Sequence, residues 1–230
     1  MNARSQTVLA AILGCLMGVP GQAAEPVHSG LALAYPLEGI QIDGDLTDWP
    51  AELLRYAVAV PLAGRPRNSE DCSADFRVGY HEKDNALYVA VEVRDADVPE
   101  PDDGSFKGFT NELAIVVAAI PGAGRDPLIL GFLRGTHLVR TVTVFGLGNW
   151  NYEEPLAFAA ETRRSGDIRA YEFRIDFAEI GKGRFQLRPG EKLELSVVVH
   201  DLDTVEGGPR REQSTALGWV YGNPGAPRAG

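Results

Sequence analysis

The sequence predicts an all-β chain folded as an antiparallel, jelly-roll-like β-sandwich with at most short helical turns. Three observations predict it. From Ala57 onward the apolar residues recur with a period of two more often than with the helical period. The runs are short and divided by turn-forming clusters, and no long amphipathic helix emerges.

Taken in order, Ala74 to Tyr80 alternates apolar and polar residues. Ala86 to Val93 is apolar at nearly every position, the pattern of a central strand. Further strands are predicted over Glu112 to Ile120, Leu128 to Phe132, Leu138 to Phe145 and Ile168 to Phe177. Leu193 to Val199 and Leu217 to Tyr221 complete the set. Turns fall at Lys83-Asp84-Asn85, Pro121-Gly122, Ser165-Gly166-Asp167, Pro189-Gly190 and Gly207-Gly208-Pro209. Asp176 to Gly181 reads as a single helical turn. Residues 25–39 form a lead segment, 40–222 the sandwich, and 223–230 a loose Gly/Pro tail.

The first 24 residues read as a secretory signal peptide. Arg4 is the only charge before Glu25, Thr7 to Val19 is apolar, and small residues close the segment at Gly21-Gln22-Ala23-Ala24. The apolar run is too short to cross a bilayer core of about 30 Å as a helix. The expected location is therefore the periplasm or the exterior. Ile12-Leu13-Gly14-Cys15 loosely matches a lipid-attachment box, but Leu13 is bulky for its slot and the apolar run continues past Cys15. With that segment removed Cys72 is the only cysteine, so no intramolecular disulfide can form, and a buried thiol is expected.

The net charge of −10 argues against nucleic acid and anionic membranes as partners, and favours neutral ligands and divalent cations. The four histidines show neither triad nor zinc-ligand spacing, and no catalytic carboxylate pair stands out. No enzyme is predicted. Asp95-Ala96-Asp97 and Asp201-Leu202-Asp203 are two Asp-x-Asp pairs at strand ends. They are candidate ligands for a structural calcium, which takes six to eight oxygens from flexible loops.

Several blocks together resemble family 9 carbohydrate-binding modules and their DOMON-like relatives. The opening Ile42-Asp43-Gly44-Asp45-Leu46-Thr47-Asp48-Trp49 is similar to the family's Ile-Asp-Gly turn before a buried Trp. Phe76 to Tyr80 with Leu87 to Asp95, then Asn111 to Ile115, Tyr171 to Gly181, and Leu193 to Asp203 with Leu217-Gly218-Trp219 follow in the family's order. The resemblance implies a sugar-binding sandwich, with Trp49 and Trp219 as packing residues and an acidic loop between the closing strands. Pyranose C–H faces stack on aromatic rings while the hydroxyls take polar partners. A clamp Trp is implied six residues before the strand Glu112. Phe106 occupies that place, and Phe109 stands where an Asp is usual.

Gly146 to Glu154 adds Trp150 and Tyr152 among amides and carboxylates, a mixture suited either to a sugar or to anchoring a loop. The candidate ligand-binding residues are Phe106, Phe109, Glu112, Arg134, Trp150, Tyr152 and Asp201; the candidate calcium ligands are Asp95, Asp97, Asp201 and Asp203. His200 reads as a turn residue. The expected function is non-catalytic binding of a glycan or oligosaccharide. A protein partner in the periplasm is the main alternative, and a haem site the lesser one. Haem is not expected, because Met1 and Met17 leave with the signal peptide and no Met ligand remains.

Overall fold

Alternating runs give strands whose two faces differ, and such strands bury their apolar faces by stacking sheet on sheet. The computed structural model describes residues 25–27, 29–96, 113–119, 128–134, 141–146, 149–151, 158–180, 185–204 and 211–220. Two sheets run through them. Sheet A comprises β1 (Tyr35–Pro36), β2 (Tyr56–Ala57), β4 (Ser73–His81), β5 (Ala86–Arg94), β10 (Phe158–Ser165) and β11 (Ile168–Asp176). Its order is β1-β4-β5-β11-β10, with β2 also paired to β4. Sheet B comprises β3 (Val60–Ala63), β6 (Leu113–Ala119), β7 (Leu128–Arg134), β8 (Thr141–Gly146), β9 (Asn149–Asn151), β12 (Glu194–Thr204) and β13 (Arg211–Val220). Its order is β3-β13-β12-β6-β7-β8-β9.

The expected β-sandwich is present. Pairing is antiparallel apart from β1 on β4 and a parallel bridge from Val27 to Tyr56. The core lies between the sheets. Phe76, Val78, Val89, Val91, Val93, Tyr171, Phe173 and Ile175 of sheet A meet Ala114, Val116, Ala118, Leu195, Val197 and Val199 of sheet B. Each large side chain buried there contributes about 1.5–3 kcal/mol against its exposed state. Cys72 is buried in the same core.

The β4–β5 turn is fixed by Asn85, which takes a left-handed φ of 52°. Its side-chain oxygen accepts from Leu187 N (2.8 Å) and its amide donates to Phe185 O (2.8 Å), stapling the 185–187 segment to the turn. The predicted helical turn is α1 (Phe177–Ile180), where Asp176 Oδ1 accepts from Ala178 N at 3.0 Å.

Three local expectations are corrected. β10 carries Phe158-Ala159-Ala160-Glu161-Thr162-Arg163-Arg164-Ser165, too polar to show alternation, and it pairs with β11 around the expected Gly166 turn. The acidic loop is instead strand: Asp201, Leu202 and Asp203 pair with Thr215, Ser214 and Gln213, and the ladder is irregular only beyond Asp203. His200 likewise sits within β12, not at a turn. Among the described residues, no helix is long and apolar enough to cross a membrane. Residues 1–24 and the tail from 221 lie outside the described residues.

Candidate functional site

The two sheets have very different outer faces. On sheet A, alternation puts Gly79, Ala86, Tyr88, Ala90 and Glu172 opposite the core. The chain from Leu37 to Leu53 lies across them. Leu37, Trp49 and Leu53 pack with Ala86, Tyr88 and Ala90 into a second apolar cluster, flanked by half-buried Ile40, Ile42 and Leu46. A methyl group at Gly79 would strike Leu37 and the Tyr35 carbonyl, so the absent side chain is what lets the cover approach β4.

Glu172 latches this cover. Its Oε2 accepts from Asp43 N (3.0 Å) and Gly44 N (2.6 Å), and its Oε1 accepts from Trp49 Nε1 (2.7 Å). The side chain is fully buried, and Trp49 is 3% exposed. Burial raises the Glu172 pKa, opposed by the three donors, which favour the carboxylate. Gly44 takes φ +79°, and its α-carbon lies so close to β10 that a Cβ would come within 2.7 Å of Arg163 N. Around it the motif's acids cap the local backbone: Asp43 Oδ1 accepts from Asp45 N, Asp45 Oδ1 from Thr47 N, and Asp48 Oδ2 from Gln41 N. Asp45 also pairs with Arg163 (2.6 Å). Farther along the same face, Arg55 makes a two-pronged bond to Asp75 (2.8 and 2.6 Å) and a third to Glu92 (2.8 Å). Glu172 does not stand out in the sequence. Its signal was the apposition of two resemblance blocks, the Asp-Gly turn and Tyr171-Glu172-Phe173.

Sheet B is ordered by its register. Ala114, Val116 and Ala118 are fully buried in the core, so Leu113, Ile115 and Val117 lie on the opposite face. Pairing extends that face laterally in rows. One row holds His200, Leu113 and Arg134; the next holds Val198, Ile115, Phe132 and Thr141; a third holds Ser196, Val117, Leu130 and Thr143. A last row holds Leu128, Phe145 and Trp150. His200 is half-buried, and burial lowers its pKa, keeping the ring neutral, able to donate from one nitrogen and accept at the other.

The predicted site residues fall into three groups. Phe106, Phe109, Glu112, Tyr152 and Asp97 lie outside the described residues. Arg134 and Trp150 share the outer face of sheet B but occupy rows at opposite ends, Arg134 beside Leu113 and Trp150 beside Phe145. Trp150 belongs to the short strand β9, where a loop was expected. Asp201 is one residue along from His200 and so falls on the core side of β12, 1% exposed. Of the calcium candidates, Asp95 is buried just beyond β5, with its backbone N–H bonded to Asp167 O (2.8 Å), and Asp203 pairs with Gln213 in β12. Among the described residues no three His, Cys, Asp or Glu side chains gather as a metal shell. His200 does not stand out in the sequence as a face residue. Its signal was the unbroken run Ser196 to His200, which continues the strand through it.

No protein-family model matches the sequence, and a search of curated proteins finds no match. Solved structures do match. A family 9 carbohydrate-binding module from Caldicellulosiruptor kristjanssonii, in complex with glucose, superposes with a TM-score of 0.58 over 81% of this chain and 85% of its own, at 16% identity. This protein has the fold of a family 9 carbohydrate-binding module. The cellotriose complex of a family 9 module from that organism gives a TM-score of 0.58 and 16% identity, over 81% of this chain and 84% of that one. A protein from Bacteroides uniformis, provisionally assigned to carbohydrate binding, gives 0.57 at 10% identity, over 82% and 88%. At these identities the likeness is one of fold.

Proposed function

We propose that this protein is an exported, non-catalytic carbohydrate-binding protein, located in the periplasm or outside the cell, that takes a neutral glycan or oligosaccharide. The observation that carries the reading is the shared sandwich, which extends over four-fifths of the chain and matches modules solved with glucose and with cellotriose. Two features support it. The acidic charge favours an uncharged ligand, and sheet A's outer face is closed by its cover, which leaves a face-binding ligand the outer face of sheet B. Trp150, Tyr152, Phe106 and Phe109 supply stacking surfaces, with Glu112 and Arg134 as polar partners; Asp201, buried on the core side of β12, does not face a ligand on that surface. A structural calcium near Asp95, Asp97, Asp201 and Asp203 belongs to the same proposal; the described carboxylates do not by themselves form its shell. No haem is expected.

A glycan array run on the purified protein, with calcium and then with chelator, tests the reading. Binding of a neutral glycan is expected, and Trp150→Ala weakens it by about 1–3 kcal/mol, the scale of one lost stacking aromatic. Loss of binding in chelator supports the calcium; binding indifferent to chelator discards it.

Silence across the array favours the second reading, an accessory sandwich that binds a protein. One observation supports that reading. Val27, Leu31, Leu33, Tyr35, Leu54, Val60 and Leu62 are large apolar side chains exposed along the N-terminal stretch and β3.

A further inference from the structure

One flank of the sandwich is apolar and open. Val27 binds on either side of Tyr56: its N–H donates to Arg55 O (2.6 Å), and its carbonyl accepts from Ala57 N (3.1 Å). Leu33 N donates to the Tyr56 hydroxyl at 2.9 Å. Just after Tyr56 the chain crosses between the sheets, since Val58 N donates to Ala74 O of sheet A and Val60 pairs with Gly218 of sheet B. The stretch leading into β1 and the edge strand β3 therefore border the same margin. Ala32 packs on the core, whereas Leu31 (65%), Leu33 (52%) and Val60 (53%) are more than half exposed, with Tyr35 and Leu62 exposed beside them. β5 is apolar along both faces and both are covered; the Leu31 to Tyr35 stretch is as apolar, with one side left open.

Three features name the occupant. Residues 26–37 and 56–64 contain no Asp, Glu, Lys or Arg, so in a chain of net charge −10 two copies meet here with little charge between them. The area suits a dimer. At about 150–200 Å² for each fully exposed side chain, the open fractions of these residues, with Val27 and Leu54, leave about 500–600 Å² of apolar surface per copy. Two copies bury about 1,000–1,200 Å² of it, and a polar rim in the usual proportion brings the interface to about 1,500–1,900 Å², the standard size of a stable complex. Pro61 fixes the geometry. It lacks an N–H in the middle of β3, which disfavours adding strands to that edge and favours a closed pair held by side chains. We infer that this flank, centred on Leu31, Leu33, Tyr35, Val60 and Leu62, is the contact between two copies of the chain related by a twofold axis. The inference does not depend on what the outer face of sheet B binds.

Sedimentation equilibrium of the purified protein across the micromolar range tests it. A monomer–dimer equilibrium is expected, tightening as sodium chloride is raised, because salt screens the repulsion between two acidic chains. Leu33→Asp and Leu62→Asp, one on each stretch, should each raise the dissociation constant about tenfold or more, since the twofold axis puts the new carboxylate into the interface twice. Ser165→Asp adds the same charge at the β10–β11 turn, on the far edge of sheet A, and should leave the constant unchanged. Urea unfolding checks that the variants keep the parent's stability, and Leu31→Asp replaces either leucine variant that does not. Weakening in all three variants alike, or in none, overturns the proposal, as does growth past the dimer with concentration. A chain monomeric throughout also overturns it, and co-sedimentation with phosphatidylcholine vesicles would then assign the flank to a lipid surface.

Discussion

The outer faces of the two sheets are finished in different ways. Sheet A is covered by its own chain: Leu37, Trp49 and Leu53 seal Ala86, Tyr88 and Ala90, and the buried Glu172 fastens the cover by three hydrogen bonds. Both faces of β5 are therefore buried, which accounts for its almost continuous apolar run. Sheet B shows no such segment among the described residues, and its outer rows mix apolar, aromatic and hydroxyl-bearing positions with Arg134, His200 and Glu194. The difference separates two tasks. Changes on sheet A's outer face should act on stability and leave ligand affinity alone; changes at the row ends of sheet B should do the reverse.

The strongest way to break that division is Trp49→Ala. It empties a buried site and strips Glu172 of its indole donor, so a loss of about 3–5 kcal/mol is expected in urea unfolding, with glycan affinity per folded molecule unchanged. A loss below about 1 kcal/mol would show the cover to be dispensable.

Gly44→Ala comes next, at about 2–3 kcal/mol, because it adds a side chain at φ +79° and drives it into the β10 backbone. Gly190→Ala is its control. That residue has φ +89° but open space around it, so only the conformational cost of about 1–2 kcal/mol applies. Equal losses in the two variants would mean that β10 yields to the cover.

Glu172→Gln is smaller, about 2 kcal/mol, since one of the three donors then faces an amide N–H₂ and goes unsatisfied. It also changes the pH profile. Burial raises the Glu172 pKa from its ordinary 4.5, so the folded state holds that proton more tightly than the unfolded chain does. The stability this group contributes is full below 4.5 and is lost as pH rises through the raised folded value. Asp75, also raised by burial, has the same sign, and subtracting the Glu172→Gln profile from that of the parent isolates the latch. A flat difference between the profiles would sink this account. Arg55→Ala is the smallest change, about 1 kcal/mol, since the network it ties to Asp75 and Glu92 is partly exposed to solvent.

Much of the sandwich is legible in the sequence because period-two runs such as Ala74 to Tyr80 carry their burial with them. Trp49 is legible as a packing residue from the Asp-Gly turn ahead of it. Glu172 is not. Alternation along β11 places it opposite Tyr171 and Phe173, the side that ordinarily meets water, and what buries it is a segment about 130 residues away in the chain, whose apolar contacts follow no period. β10 escapes notice for the opposite reason: its backbone pairing is regular but its side chains are largely polar. Asp201 reads as an exposed acid because composition cannot tell a strand's last residues from the turn beyond; only the pairing with Thr215 does. For the candidate site, the sequence names residue types at Arg134 and Trp150, but the distance between them depends on the registers of two neighbouring ladders.

The latch also imposes an order in time. Its donors, Asp43, Gly44 and Trp49, are among the first residues of the sandwich to be synthesised, and their acceptor on β11 follows more than 120 residues later. Closing so long a loop is slow relative to pairing β4 with β5 across their short turn. The N-terminal cover is thus made early, and the length of the loop its latch closes favours late docking.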